Sequence, residues 1–400
     1  MSLWIDLTDF LQWRGNLTGI QRIQYNLSKK YIESGEDVRF FVYTEQSRKF
    51  TEVEFNPDEV VKSGIVAPDD LRAPSSFHKR ITSRLTRVLR RKATNTPPED
   101  VVSPFEQDDI VFVMGGIWVG NFINDLILCK ERHHLKFIHF AFDMIPTLFP
   151  GYVVDWLPEA FTNYQKIVFT HADGIVAISK STAEDVRIFM KQHQISNTPR
   201  ITVVRIGEEI GDDERMESVP RLEGEEFILS VSTIEGRKNH TALFYVLKEA
   251  KRRQITLPKI VIVGRNGWLT DDIRYIMEHD SDAAQGIMIL NGVSDAQLAW
   301  LYQNCRFTIF PSFYEGWGMP IAESLAKGKL CVASNTSSMT EIAGPLVDYF
   351  SPYDTGDILR CVEKYLDNET LAKKESDIAT NYRPTSWDDM FIAVSDFVRQ

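Results

Sequence analysis

Marks of an oxidising or membrane-spanning environment are scarce in this sequence. Its 400 residues include four cysteines, Cys129, Cys305, Cys331 and Cys361. They lack pairwise spacing, two fall in or beside apolar strands, and they read as reduced core thiols of a cytoplasmic protein. No unbroken apolar run reaches membrane-spanning length: the most apolar window, Ile110 to Cys129, is interrupted by Gly115, Gly116, Gly120, Asn121, Asn124 and Asp125. The N-terminus, MSLWIDLTDF, carries acids where a signal peptide needs a basic and then an apolar region, so secretion is not expected. Basic charge is short as well. The net charge is −11, and outside one local stretch no basic face is offered to phosphates, which excludes a general nucleic-acid binder. There is no internal repeat and no long low-complexity tract.

What is present is a rhythm of short apolar segments. Leu3 to Leu7, Val38 to Tyr43, Ile110 to Met114, Lys136 to Ala141, Gly174 to Ile178 and Ile201 to Val204 read as strands. Strands that are apolar throughout and alternate with helices indicate a parallel sheet covered on both faces. An acidic connector, Glu208 to Glu226, is poor in apolar residues and marks a domain boundary. A second alternating set follows at Phe227 to Ser232, Lys259 to Val263, Gly286 to Leu290 and Arg306 to Phe310. The expected organisation is a first Rossmann-like domain over 1–207, a linker over 208–226, a second such domain over 227–380, and a closing amphipathic helix within 381–400. The cleft between two facing doubly wound domains is then the place for a ligand.

Residues from about 44 to 107 break the rhythm. Within them His78 to Lys92 sets Ile81, Leu85, Val88 and Leu89 on one helical stripe among Lys79, Arg80, Arg84, Arg87, Arg90, Arg91 and Lys92. A basic amphipathic helix of this kind fits either an anionic membrane surface or a stripe packed on its own domain.

The most informative stretch is FPSFYEGWGMPIAESLAKGKLCVAS, Phe310 to Ser334. An apolar strand ends at Pro311, and the loop Glu315-Gly316-Trp317-Gly318 follows. Pro320 sits where a proline is best tolerated, in the first turn of a helix that Gly328 closes. Glu315 lies on the loop and Glu323 one turn into the helix, so both carboxylates flank a helix start whose free amides and dipole attract anions. A nucleotide-sugar explains the pairing. The free N–H groups of the loop, Gly316, Trp317, Gly318 and Met319, together with the dipole of the helix that Pro320 opens, hold the diphosphate or sugar hydroxyls, Glu323 accepts from a ribose diol, and Glu315 accepts from the transferred sugar.

With EGWGMP after the first glutamate and ESLAKG around the second, this segment resembles the signature of the retaining glycosyltransferases of family four. The resemblance is strong from about Phe227 to Gly344 and looser before it. It implies a GT-B fold with the final helix returning to the first, acceptor-side domain. It also implies a metal-independent retaining hexosyltransferase that moves a hexose from a nucleoside diphosphate to a hydroxyl acceptor. In the family a lysine on the segment matching Val231 to Asn239 binds the diphosphate, and Lys238 takes that position. Many relatives carry an arginine where this chain has Thr233, so that contact is missing or comes from Arg237 or Arg265. The resemblance places Gly19 near the donor phosphates, puts the strand-end turn at Gly264 and Arg265 in the donor site, and lets the backbone of Val293 read the nucleobase edge. Phe142 stands where many relatives have a histidine that touches the donor sugar, and that role does not transfer. Asp143 beside it is either a binder of sugar or acceptor hydroxyls or a helix cap. His139 reads as a core histidine or one supporting the site from behind.

Asp280 and Asp282 could in principle hold a divalent metal, but they follow a helix rather than a buried strand and read as solvated acids. The likeness of Ile234 to Asn239 to bacterial polysaccharide mannosyltransferases favours GDP-mannose over UDP-sugars and a glycan or lipid-linked acceptor. Contact with the inner face of the membrane would run through 78–92. Two other readings stand beside the transferase: a nucleotide-sugar epimerase on the same scaffold, and a scaffold protein that has lost turnover, which the Thr233 and Phe142 departures keep open.

Overall fold

The computed structural model describes residues 1–13, 19–57, 101–209, 216–268 and 270–400. The basic segment 78–92 and the loop 14–18 lie outside them, as do 210–215 of the connector.

Among the described residues the first sheet contains β1 (Leu3–Asp6), β2 (Val38–Thr44), β3 (Lys49–Val53), β4 (Ile110–Val113), β5 (Lys136–Ala141), β6 (Gly174–Ala177) and β7 (Arg200–Val203), ordered β3-β2-β1-β4-β5-β6-β7. All neighbours pair in parallel except β2 with β3. Every residue of β1, β4 and β6 is buried, as a strand covered on both faces requires. The antiparallel β3 was not expected from the sequence, because its burial is mixed and only Phe50 is fully inside.

The second sheet contains β8 (Phe227–Val231), β9 (Lys259–Val263), β10 (Ile287–Leu290), β11 (Thr308–Phe310), β12 (Cys331–Ser334) and β13 (Tyr349–Phe350). Its order is β10-β9-β8-β11-β12-β13, all parallel. The chain therefore runs outward from β8 to one edge, then returns to β11 on the other side of β8. Ligands of such sheets settle in the crevice at the C-terminal ends of the two strands where the order reverses. In the second sheet that crevice lies between the loops after β8 and β11; in the first, between those after β1 and β4. All four cysteines are buried and free. No helix among the described residues is long and apolar enough to cross a membrane.

The helix Trp387–Arg399 starts from a capping box of Ser386 and Asp389 and returns to the first sheet's side. There Phe391 meets Tyr31 edge to face at 5.0 Å, and Lys30 pairs with Asp388 at 2.7 Å. Glu208, the first residue of the expected acidic linker, is 2% exposed. Its carboxylate accepts from Arg205 (3.0 Å), Tyr382 (2.7 Å) and the Thr385 amide (3.1 Å), and its own amide donates to the Thr385 carbonyl at 2.9 Å. A buried carboxylate survives only with such partners. The connector is thus anchored where it leaves the first domain.

Candidate active site in the interdomain cleft

The loop after β8 closes on itself in the turn Gly236–Lys238 and is held in place by its neighbours. The Ile234 amide donates to the Arg265 carbonyl (2.9 Å), and the Gly267 amide donates back to Ile234 (2.8 Å). Asn239, in the left-handed region at φ 57, sends its side-chain amide to the carbonyls of Pro311 (3.1 Å) and Pro352 (2.9 Å). These bonds tie the loop to the one after β11 and turn Arg237 and Lys238 toward Glu315.

Lys238 Nζ lies 2.6 Å from Glu315 Oε1, and Arg237 Nη1 lies 2.8 Å from Glu315 Oε2. Arg237 also pairs with Glu235 at 2.7 Å and donates to the Tyr314 carbonyl at 2.5 Å. Burial alone would raise the Glu315 carboxyl, but the two cations outweigh it and hold it at about 2. Lys238 is drawn below the ordinary lysine range by desolvation and by Arg237. The cluster is close to neutral, so an arriving diphosphate can compete with Glu315 for Lys238 without meeting a surplus of acid.

The loop itself is pinned from the side. Ser337 Oγ accepts from the Glu315 amide at 2.9 Å, and Ser338 Oγ donates to the carbonyls of Glu315 (2.9 Å) and Trp317 (2.6 Å). Arg205 lies 5.0 Å from the Trp317 ring centre. The following helix, Met319–Ala326, begins after Gly318 at φ 122, with no side chain capping it. Pro320 has no N–H and the Ile321 amide donates to the Gly318 carbonyl at 2.9 Å, which leaves the Met319 amide and the positive end of the helix to a ligand. Gly316 needs its missing side chain: a Cβ there would come 2.2 Å from the Phe142 carbonyl oxygen and 3.0 Å from the Asp143 Cβ. The loop of one domain rests directly on the other.

A cavity of about 680 Å³ opens between the domains here. It is lined by Gly19, Asp143, Thr233, Lys238, Gly264, Arg265, Val293, Glu315, Gly316, Trp317, Gly318, Met319, Pro320 and Glu323. Of the residues assigned to the donor site from the sequence, Arg237 faces elsewhere. It lines an adjoining cavity of about 170 Å³ with Asp143, Glu235, His139, Trp118 and Gln165. Arg265 stacks over Trp13 at 5.2 Å.

Asp143 accepts from the Ile145 amide at 2.9 Å just before the Ile145–Leu148 helix while lining the cavity, and burial raises its carboxyl. Neither ring nitrogen of the buried His139 has a hydrogen-bond partner, and burial lowers it to about 3, so it is neutral. Glu323 is already engaged, accepting from Arg22 (2.9 Å) and from the Tyr302 hydroxyl (2.9 Å). A ribose would share or displace these partners. Arg22 was missed in the sequence because its partner lies 301 positions away and no local spacing announces it. Asp280 caps the Ser281–Gly286 helix, and both it and Asp282 pair with Lys248 at 2.7 Å, outside the cleft. Ser294 and Gln297 form a capping box beside Val293.

Comparison with known proteins bears on the same region. The family described as glycosyl transferases group 1 matches residues 212–383. A serotype-specific mannosyltransferase WbdA of Escherichia coli is 28% identical over 246 residues, which is 58% of this chain and 29% of that protein. The O-antigen chain mannosyltransferase B of Escherichia coli is 31% identical over 118 residues, 30% of this chain and 31% of that protein. The chain thus spans under a third of the length of these relatives. Among solved structures, a sucrose-phosphate synthase from Thermosynechococcus elongatus superposes with a TM-score of 0.66 at 13% identity, covering 100% of this chain and 98% of its own. Anabaena HepE in complex with UDP and glucose gives 0.65 at 12% identity, with 100% of both chains covered. The sequence of 212–383 is therefore similar to the glycosyl transferases group 1 family and to bacterial mannosyltransferases, and the chain has the two-domain GT-B fold of its structural neighbours.

Proposed function

We propose that the protein transfers a hexose, with mannose favoured, from a nucleoside diphosphate to a hydroxyl of a glycan or lipid-linked acceptor, with retention and without a bound metal. The observation that carries the reading is the Lys238–Glu315–Arg237 cluster set against the uncapped helix start at Gly318, inside the interdomain cavity. The mannosyltransferases among the relatives support the choice of sugar. A fold neighbour in complex with UDP and glucose supports a nucleotide-sugar donor.

In the reaction, the bond between the anomeric carbon and the diphosphate breaks while the acceptor oxygen bonds on the same face. The acceptor proton passes to the departing phosphate oxygen. Lys238, the Met319 amide and the positive end of the Met319–Ala326 helix stabilise the charge that collects on the leaving group, the role a divalent cation plays elsewhere. Glu315, released from Lys238 by the diphosphate, holds hydroxyls of the sugar, and Glu323 anchors the ribose.

Incubation with GDP-mannose, UDP-glucose and the free nucleotides, read as a melting midpoint, tests the donor. At a hundredfold excess over its Kd, the true donor adds about 2.7 kcal/mol of stability. Lys238→Ala is expected to cut transfer by about 10²–10³-fold with unchanged circular dichroism. Unaltered transfer in that variant, or an enzyme that chelator silences, would overturn the corresponding part of the reading.

A further inference from the structure

Beside the cleft runs a second groove, of about 550 Å³, that the reaction above does not use. We infer that it binds a neutral glycan, the sugar chain that carries the acceptor hydroxyl. This rests on the transferase reading and names its acceptor class.

The first observation is aromatic. Phe313 stacks on Tyr152 with centroids 5.8 Å apart and planes 18° apart, and on Tyr353 at 5.1 Å and 23°. The three rings form a near-parallel ladder along the groove wall. Tyr353 is 71% exposed, and Tyr245, from the His240–Arg252 helix, lines the same groove at 51% exposure. A single exposed tyrosine needs no explanation. Two of them, from separate elements and converging on one groove beside a ring ladder, make an apolar patch of the kind that marks a binding surface.

The second observation is charge. Charged residues make up 25% of the chain, yet none of the described residues that line this groove is charged. The polar lining is neutral, with Thr241 and Thr355 among the tyrosines. A phosphate, a lipid headgroup or an acidic peptide would find no counter-charge among the described lining residues. A pyranose carries an apolar C–H face, suited to lying on an aromatic ring, and a rim of hydroxyls suited to threonine and tyrosine hydroxyls. An aromatic body with a few placed polar groups is the usual composition of a small-ligand site, and the volume falls within its range of roughly 300–1,000 Å³.

The third observation is continuity. Tyr152 lines both this groove and the small cavity that holds Asp143 and Arg237. A Cβ at Gly236, the residue before Arg237, would lie 2.9 Å from the Tyr152 ring. A chain of sugars lying along the ladder would present its end toward the reactive cluster.

The test is titration of the full chain with α-linked mannotetraose, by calorimetry, against wild-type protein, Tyr353→Ala, Tyr245→Ala and Tyr353→Phe. Both alanine substitutions are at exposed sites, and unligated melting midpoints equal to wild type confirm intact folds. Mannotetraose is expected to bind wild type, to bind each alanine variant at least about fivefold more weakly, as loss of an aromatic anchor does, and to bind Tyr353→Phe within about twofold of wild type, because the ring is kept. Equal affinity across the set overturns the proposal, as does tighter binding of a heparin tetrasaccharide or of anionic vesicles at this groove. If wild type ignores mannotetraose while a nucleoside diphosphate still raises its melting midpoint, the glycan groove fails and the transferase reading survives. If neither ligand acts, both fail.

Discussion

A histidine enclosed by protein is expensive to protonate, and His139 is such a residue. Its ring sits between Tyr164 and Phe169, each with its centroid 6.2 Å away, and neither nitrogen is hydrogen-bonded. Burial takes its folded-state pKa from 6.5 to about 3. The unfolded chain therefore binds a proton that the folded chain refuses between those values. The stability this group contributes is intact above pH 6.5 and drains as the pH falls toward 3, at up to about 1.4 kcal/mol per pH unit. Asp6 works the other way: burial raises it from 3.8 to about 7, so its folded form gains as the pH falls through the same window. The wild-type acid curve mixes the two, and a difference measurement separates them. His139→Phe is expected to gain on wild type in denaturant midpoint steadily from pH 6.5 to pH 4.5. A constant gap between the two curves would place the ring in contact with solvent.

At the level of elements, the loop between β11 and its helix couples the two domains through one glycine. Gly316 has no room for a methyl, since the atom it would strike is the backbone oxygen of Phe142, which cannot rotate aside. Gly316→Ala is expected to leave secondary structure unchanged, to widen the cleft and to reduce transfer by at least about tenfold, because misplacement by 1 Å is costly in a site that works by positioning. Small-angle scattering would register the opening; an unchanged radius of gyration with full activity would mean that the loop yields. The sequence displayed this loop clearly. The apolar strand, the Glu-Gly-Trp-Gly turn, Pro320 and Gly328 are all local signals, and parallel strands buried on both faces advertise themselves as unbroken apolar runs. It did not display β3, whose half-exposed edge position imposes no strong pattern. Nor did it display the Arg237–Glu315 pair, the occupied state of Glu323 or the burial of Glu208. Each of these depends on a partner brought in from a distant part of the chain.

Across the whole molecule, the domains meet through specific polar contacts. Glu341 of the second domain accepts from the amides of Lys180 and Ser181 at 2.8 Å each, capping the Lys180–Gln192 helix of the first. Tyr314 donates to Asp185 at 2.7 Å. Arg22 spans the cleft to Glu323 at 2.9 Å, with the two side chains 20% and 12% exposed. If Arg22 competes with the nucleotide for Glu323, Arg22→Ala is expected to tighten nucleoside diphosphate binding by up to about fivefold by calorimetry. Weakened binding would instead mean that Arg22 holds the ligand itself. The chain passes between domains near Glu208 and again near Thr385, and those two passages are bonded to each other, with the Trp387 ring pressed on Gly207, where a Cβ would lie 2.3 Å from it. Two crossings fastened side by side share a single pivot: the lobes can swing open and shut about that line, while sliding or twisting past one another would first have to unfasten it.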